Sequence, residues 1–259
     1  MAEIVDRRPF VDAIRAQLRL DPAKIAVLAV DVHRGHLDPE VATMPVSAGD
    51  ARRVRAAVAR LLGGAREAAV PVVYVLLTYR RTTPPGLESM VNPFWKAVEA
   101  ARESMTPGRR STIVHHNQEG SVQTELPPEL AAQPGDYVIR SKKRLSAFYG
   151  TDLETLLRAL GTETVVICGI NTNTCVLCTA FDAFNRDLRV VVAADGVASM
   201  YGDDLHVLGL ENVRRCLGWV LPVEEILAQF GGAAASPARA SPRLRGTRRR
   251  HAPPSQRAR

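Results

Sequence analysis

The sequence has few of the features that mark membrane, secreted or nucleotide-binding proteins. Only 4 of its 259 residues are cysteines, and their spacing does not suggest a disulfide framework, so we predict reduced thiols in a cytoplasmic protein. No apolar run approaches the roughly 20 residues that span a bilayer, and the first residues lack the pattern of a signal peptide. Neither Gly-x-Ser-x-Gly nor Gly-x-Gly-x-x-Gly occurs, so the usual signatures of serine hydrolases and dinucleotide-binding proteins are missing.

Acidic residues are absent from one end of the chain, and this explains the formal net charge of +7. The last 29 residues, 231–259, hold eight arginines and no Asp or Glu, so the preceding residues are close to neutral. A nucleic-acid-binding domain would carry a basic face on its folded part, and we therefore predict no specific nucleic-acid partner. The Ala-, Pro- and Arg-rich composition of 231–259 predicts a disordered tail after a single domain over 1–230.

Short apolar runs alternate with amphipathic segments along the domain. The runs indicate strands that are covered on both faces, and the alternation is typical of parallel βαβ units. We therefore predict an α/β fold, doubly wound, with a mainly parallel sheet of about six strands and helices on both faces. Asp50 is predicted to cap one helix, and Thr151 with Glu154 another. The strands predicted individually are 24–31, 71–77, 136–142, 162–169 and 188–195.

Chemically useful side chains follow four of these strands, at the edge where a parallel sheet binds its ligands. They are Asp31 after the first strand, Tyr79 and Arg80 after the second, Lys142 at the end of the third, and Cys175 after the fourth. A carboxylate can take the proton from a thiol, and a lysine can stabilise the charge on both. N–H groups at the start of the following helix can hold an oxyanion. This set suits amide hydrolysis.

Three stretches carry a resemblance to a known family. They are LAVDVHRGHL at the first strand, KKRLSAFYGTDLETLL around Lys142, and GINTNTCVLCTAFDAFNRDLRVVVAADGVAS around Cys175. Over 24–219 the chain resembles the isochorismatase-like cysteine hydrolases, which include N-carbamoylsarcosine, biuret and ureidoacrylate amidohydrolases and the nicotinamidases. The resemblance implies that the chain cleaves a C–N bond of a small amide, carbamoyl or ureido compound through a cysteine thioester. We expect no cofactor and no metal.

The same resemblance implies roles for particular residues. Cys175 would be the nucleophile, Asp31 the general acid and base, and Lys142 the third member of a catalytic triad. A cis peptide bond between Ile170 and Asn171 would turn the Asn171 N–H toward that of Cys175. These two N–H groups would form the oxyanion hole.

The predicted substrate pocket departs from the family pattern beside the aspartate. The family often has Gln two positions after it and an aromatic residue five positions after it, where this chain has His33 and His36. We predict that both histidines shape the substrate pocket, with metal binding, known in related nicotinamidases, as the alternative. Arg80 would suit a substrate carboxylate. The other predicted substrate-binding residues are Tyr79, Phe94, Trp95 and Phe148.

Two other functions stay open on the sequence. Cys175 and Cys178 form a Cys-x-x-Cys pair, as in thiol–disulfide redox proteins, and a nicotinamidase-type hydrolase of a different amide would carry the same motifs. Zinc would need a second such pair, which Cys168 and Cys216 do not supply. Family members commonly assemble, so we expect a dimer or tetramer of identical chains, with 77–134 at the interface and no membrane partner.

Overall fold

One parallel sheet forms the centre of the molecule. The computed structural model describes residues 4–82, 86–87, 92–101, 104 and 113–231. The sheet strands are β1 (Ile25–Val30), β2 (Val72–Leu77), β5 (Tyr137–Lys142), β6 (Thr164–Ile170), β7 (Arg189–Ala198) and β8 (Gly218–Leu221). Their spatial order is β5-β2-β1-β6-β7-β8, with every neighbouring pair parallel. A separate antiparallel pair is made by β3 (Arg81–Thr82) and β4 (Gly86–Leu87). The predicted α/β fold is confirmed.

Helices connect the strands and cover the sheet. They are α1 (Arg8–Arg15), α2 (Arg34–Leu37), α3 (Ala48–Glu67), α4 (Pro93–Ala100), α5 (Leu153–Ala159), α6 (Leu177–Phe184), α7 (Asp203–Asn212) and α8 (Val223–Gly231). A π-helical turn, Thr172–Val176, leads into α6, and a second, Val213–Leu217, follows α7.

Two apolar cores lie on opposite faces of the sheet because side chains alternate along each strand. In β1, Val27 and Ala29 join the core that contains the buried residues of α3 and α8. Leu28 and Val30 join the core that contains those of α5 and α6. Every residue of β1 is buried, which is why the strand appears in the sequence as an unbroken apolar run.

The two predicted helix caps are both wrong in detail. The cap of α3 is Ser47, whose Oγ accepts a hydrogen bond from the Asp50 N–H at 3.0 Å. Asp50 therefore lies in the first turn of α3 rather than before it. Before α5, the Leu153 N–H is 3.3 Å from Thr151 Oγ1, but Glu154 extends to Arg186 at 2.7 Å instead of closing a capping box.

The sixth strand of the sheet, β8, was not among the strands predicted individually. It has only four residues, begins with glycine and is half-buried over its first three positions. A short edge strand of this kind lacks the apolar run that identifies β1. The π-helical turn Val213–Leu217 also ends directly before β8, so no loop residues separate the helical segment from the strand.

The described residues end at Gly231, which is also the last residue of α8. The predicted tail, 231–259, otherwise lies outside the described residues, as do parts of the predicted interface region, 77–134. In the part of the chain that the structure describes, no helix is both long and apolar enough to cross a membrane.

Candidate active site

The sheet brings the three predicted triad residues into contact. Asp31 follows β1, Lys142 ends β5 and Cys175 lies in the turn after β6. All three therefore lie at the carboxyl edge of the parallel sheet. Lys142 Nζ is 2.6 Å from Asp31 Oδ2 and 3.4 Å from Cys175 Sγ. Asp31 and Lys142 are fully buried, and Cys175 is only 4% exposed. A buried lysine thus bridges an acid and a thiol.

The backbone around Asp31 orients its carboxylate. Asp31 has a positive φ of 53°, and its N–H donates to Val75 O at 3.0 Å, which extends the pairing of β1 with β2. Asp31 Oδ1 accepts a hydrogen bond from the Leu77 N–H at 2.7 Å. Oδ2 is left to contact Lys142. The two neighbouring strands therefore fix one oxygen and direct the other toward the lysine.

Charge is distributed unevenly over the three groups. Burial would raise the pKa of the Asp31 carboxyl, but the opposing effects of its neighbours, Lys142 foremost, together hold that pKa below its usual value. Burial also opposes the charge on Lys142, but Asp31 and Cys175 together compensate, so the pKa of Lys142 is raised. Burial raises the pKa of the Cys175 thiol to about 12, with Lys142 opposing and Asp31 adding to the effect. At neutral pH the site holds a carboxylate, an ammonium and a neutral thiol.

The segment before Cys175 is tightly fixed. Gly169 has a φ of 123°, and a Cβ atom there would lie 1.8 Å from Val30 O. Only glycine therefore fits against β1. The Ile170–Asn171 peptide bond is cis, as the resemblance implied. Asn171 Oδ1 accepts a hydrogen bond from the Met200 N–H at 2.9 Å. These contacts hold Asn171 and the following helical turn in one orientation.

The remaining cysteines differ from Cys175 in position and environment. All four cysteines are free thiols. Cys178 is half-buried one turn further along α6, Cys168 is buried in β6, and Cys216 is exposed. Cys175 contacts Lys142, and this contact sets its chemistry apart from that of the other thiols.

Tyr79 and the two predicted pocket histidines lie beside the triad. Tyr79 is 5% exposed, and burial raises the pKa of its hydroxyl, with Cys175 and Asp31 adding to the effect. His33 and His36 are buried after β1, close enough to Asp31 for its carboxylate to act on the pKa of both rings. The structure therefore brings these three side chains together with the predicted catalytic groups.

The other predicted pocket residues are not brought to the same point. Phe148 is buried in the core that also contains Cys175, but the Arg186 guanidinium covers its ring at 4.6 Å. Phe94 is 63% exposed and packs against Trp95, with ring centroids 5.9 Å apart. Arg80 is exposed after β2. For these residues a role in binding substrate stays a prediction.

Two residues beside the site were missed from the sequence. Burial raises the pKa of the Tyr201 hydroxyl to about 12, with Cys175 adding to the shift, so this side chain lies near the thiol. Tyr201 follows β7, and the rule that selected Asp31 would also have selected it. His116 is buried with its ring centroid 6.1 Å from that of Tyr79. It comes from an irregular loop, where strand positions give no signal.

Metal ligation was the alternative role for the histidines. Among the residues that the structure describes, no group of three or more His, Cys, Asp or Glu side chains is arranged to hold a metal ion. Asp31, the acidic residue nearest His33 in sequence, is already bound to Lys142 and the Leu77 N–H.

Comparison with known proteins identifies the family of the chain. The isochorismatase domain model matches residues 25–225. The ureidoacrylate amidohydrolase RutB of Methylobacterium radiotolerans is 31% identical over 229 residues, covering 85% of each protein. The N-carbamoylsarcosine amidase of Thermoplasma acidophilum is 27% identical with a TM-score of 0.58, covering 78% of this chain and 97% of that one. A cysteine hydrolase of Pseudomonas syringae is 23% identical with a TM-score of 0.68, covering 84% and 97%, and so shares the fold.

These likenesses first define a class: the chain is a cysteine hydrolase that acts on amide carbon–nitrogen bonds. More particularly, it belongs to the isochorismatase family, whose domain model covers most of its length.

Proposed function

We propose that the chain hydrolyses a small carbamoyl or ureido compound, with Cys175 as nucleophile, Asp31 as general acid and base, and Lys142 as the group that holds both. The observation that supports this most strongly is the contact of one buried ammonium with a carboxylate at 2.6 Å and a thiol at 3.4 Å. Burying an ionised pair is costly, so such a pair marks a candidate functional site. Here the pair adjoins a thiol, which is the arrangement that general-base activation of the thiol requires.

In the first half of the reaction the substrate transfers its acyl group to the Cys175 thiol. The thiol is neutral, because the pKa of Cys175 is raised to about 12, so it needs a base at the moment of attack. Asp31 takes the thiol proton as the sulfur–carbon bond forms, and the carbonyl oxygen becomes an oxyanion. The N–H groups of Asn171 and Cys175 stabilise that oxyanion. The intermediate collapses, the C–N bond breaks, and Asp31 gives its proton to the leaving nitrogen.

In the second half, water releases the acyl group. Asp31, again a carboxylate, takes a proton from water as its oxygen attacks the thioester carbon. The new oxyanion collapses, the C–S bond breaks, and the proton returns from Asp31 to the sulfur. Lys142 remains an ammonium throughout, since its pKa is raised by Asp31. Its constant charge offsets whichever partner is anionic at each step.

The ureido class of substrate is favoured by similarity rather than by motif. The relative at 31% identity is a ureidoacrylate amidohydrolase, and it is matched over 85% of both chains. The structural neighbour at 27% identity is an N-carbamoylsarcosine amidase. Both names refer to a ureido or carbamoyl compound. We therefore favour a substrate of that class over the amide of the nicotinamidase-type alternative.

Ammonia release from a matched panel of compounds tests the proposed function. We expect the purified protein to release ammonia from N-carbamoyl and ureido compounds with higher kcat/KM than from nicotinamide and aliphatic primary amides. The measurement is a coupled ammonia assay with the Cys175→Ala protein as the blank. A higher kcat/KM for nicotinamide would favour the nicotinamidase-type alternative, and release from none of the compounds would contradict the proposal.

We also propose a cytoplasmic homo-oligomer whose tail is dispensable. Exposed apolar side chains support assembly: in the predicted interface region, 77–134, Phe94 is 63% and Val122 40% exposed. On α6, outside that region, Phe181 and Phe184 are 43% and 49% exposed and could add to the interface. A chain that ends at Gly231 is expected to keep full activity and the same dimeric or tetrameric mass by size exclusion with light scattering. A monomer at micromolar concentration would contradict the assembly, and a loss of activity would contradict the dispensable tail.

A further inference from the structure

Three imidazole rings lie together beside the triad, and we call them the histidine cluster. The rings of His33 and His36 stack with centroids 5.1 Å apart, and the ring of His116 meets that of His36 edge-on at 5.3 Å. Each of the three residues is at most 2% exposed. The charges of Asp31 and Lys142 both act on His33 and His36. The cluster therefore adjoins the reacting groups.

Burial keeps the two rings nearest the triad uncharged. It lowers the pKa of His33 to about 3, and it lowers the pKa of His36 despite the opposing effect of Asp31. Both rings are therefore neutral at neutral pH, and neither can attract a carboxylate by charge. A neutral imidazole instead offers one N–H donor and one lone pair.

The hydrogen bonds of the cluster show which nitrogen offers a lone pair. His36 Nδ1 is 3.2 Å from Met44 O, and a carbonyl oxygen only accepts, so Nδ1 carries the proton and Nε2 presents the lone pair. Within the described residues, His36 Nε2 is buried without a hydrogen-bond partner, and so are both ring nitrogens of His33. Buried polar atoms are nearly always hydrogen-bonded. These nitrogens are therefore suited to a ligand.

The surroundings of the cluster hold it in place. The Asn117 N–H donates to Gln123 Oε1 at 2.8 Å, and Gln123 Nε2 donates to Thr43 Oγ1 at 3.0 Å. Gly35 in α2 lets the loop approach, since a Cβ atom there would lie 1.8 Å from Asn117 Oδ1. The loop that carries His116 is thus fixed against α2, which carries the second ring of the stack. Ring nitrogens held in fixed positions can discriminate between a ligand that offers an N–H group and one that does not.

We propose that His36, with His33 beside it, recognises an N–H group of the substrate that lies outside the scissile bond. This inference rests on the proposed function, because it names a group that accompanies the cleaved amide. His36 Nε2 accepts the N–H, and His33 offers a second acceptor together with a donor. A ureido compound carries such an N–H on the carbon that is attacked, whereas the primary amide with the same skeleton has a methylene group there. The cluster thus selects ureido compounds.

A pair of substrates that differ only at this position tests the inference. One is an N-carbamoyl compound, and the other is the primary amide in which a methylene replaces the internal N–H. His36→Phe keeps a ring and removes both nitrogens, so the ratio of kcat/KM for the two substrates is expected to fall by roughly 10- to 100-fold. His36→Gln restores an acceptor and should recover part of the ratio.

His115→Phe is the matched control. His115 precedes His116 in the same loop but is exposed, so its replacement should leave the ratio unchanged. An unchanged ratio in His36→Phe would overturn the inference, including the case in which both rates fall equally, because damage to packing lowers both.

A binding measurement separates this inference from the proposed function. Calorimetric titration of the N-carbamoyl compound into Cys175→Ala protein needs no turnover, and we expect affinity to fall by a similar factor when His36→Phe is added. A wild-type protein that hydrolyses neither substrate would contradict the proposed function alone. Equal affinity in the two inactive proteins would contradict the role of the histidine cluster.

Discussion

Replacing Cys175 with alanine is expected to abolish hydrolysis of the best ureido or amide substrate, with a loss of about 10⁴- to 10⁶-fold in kcat. The thiol is the atom that would carry the acyl group, and Lys142 Nζ contacts it at 3.4 Å. The measurement is ammonia release, together with mass spectrometry of acid-quenched wild-type enzyme during turnover. That spectrum should show the acyl group on the peptide that contains Cys175 and on no peptide of the alanine variant.

Cys178→Ala is the matched control, because it removes the other thiol of the Cys-x-x-Cys pair. Cys178 is half-buried in α6, and the mechanism gives it no step, so activity should stay within about threefold of wild type. A redox protein would need both thiols. Equal loss of activity in the two variants would therefore contradict the nucleophile assignment and favour the redox function.

Five of the six sheet strands, including the edge strand β5, could be predicted from sequence, and the short edge strand β8 could not. β1 and β2 are buried at every position, so burial on both faces appears directly as apolar runs. β8 is short and half-buried, and its place in the sheet depends on pairing with β7 across a helix. The helix caps were missed for a related reason: Ser47 and Asp50 are both suitable cap residues, and only the backbone decides between them.

The approximate location of the site followed from one rule, but its electrostatics did not. Asp31, Lys142 and Cys175 each come at the carboxyl end of a strand, so a parallel sheet had to bring them to one edge. The position of Cys175 after a strand carries no information on how deeply its thiol is buried, and burial raises the pKa of that thiol to about 12. The contact of His36 with His116 joins residues 80 positions apart, and no local pattern could have indicated it.

Asp31→Asn is expected to slow hydrolysis while it speeds alkylation of the Cys175 thiol. The substitution keeps the shape of the side chain and removes the base, so kcat should fall by about 10²- to 10⁴-fold. The carboxylate of Asp31 also raises the pKa of Cys175. Its removal should therefore lower that pKa and speed alkylation of Cys175 by iodoacetamide at pH 8, while hydrolysis slows. Peptide-level mass spectrometry measures alkylation, with the exposed Cys216 as an internal reference.

Lys142→Ala should change alkylation in the opposite direction. The Lys142 ammonium lowers the pKa of Cys175, so without it the pKa rises and alkylation slows at the same pH. Removing either partner leaves one buried charge alone, at a cost of about 3–5 kcal/mol in the free energy of unfolding. The double variant Asp31→Asn, Lys142→Met leaves neither charge and should recover much of that stability but none of the activity. If the double variant regained activity, the losses in the single variants would reflect misfolding, and neither residue would belong to the mechanism.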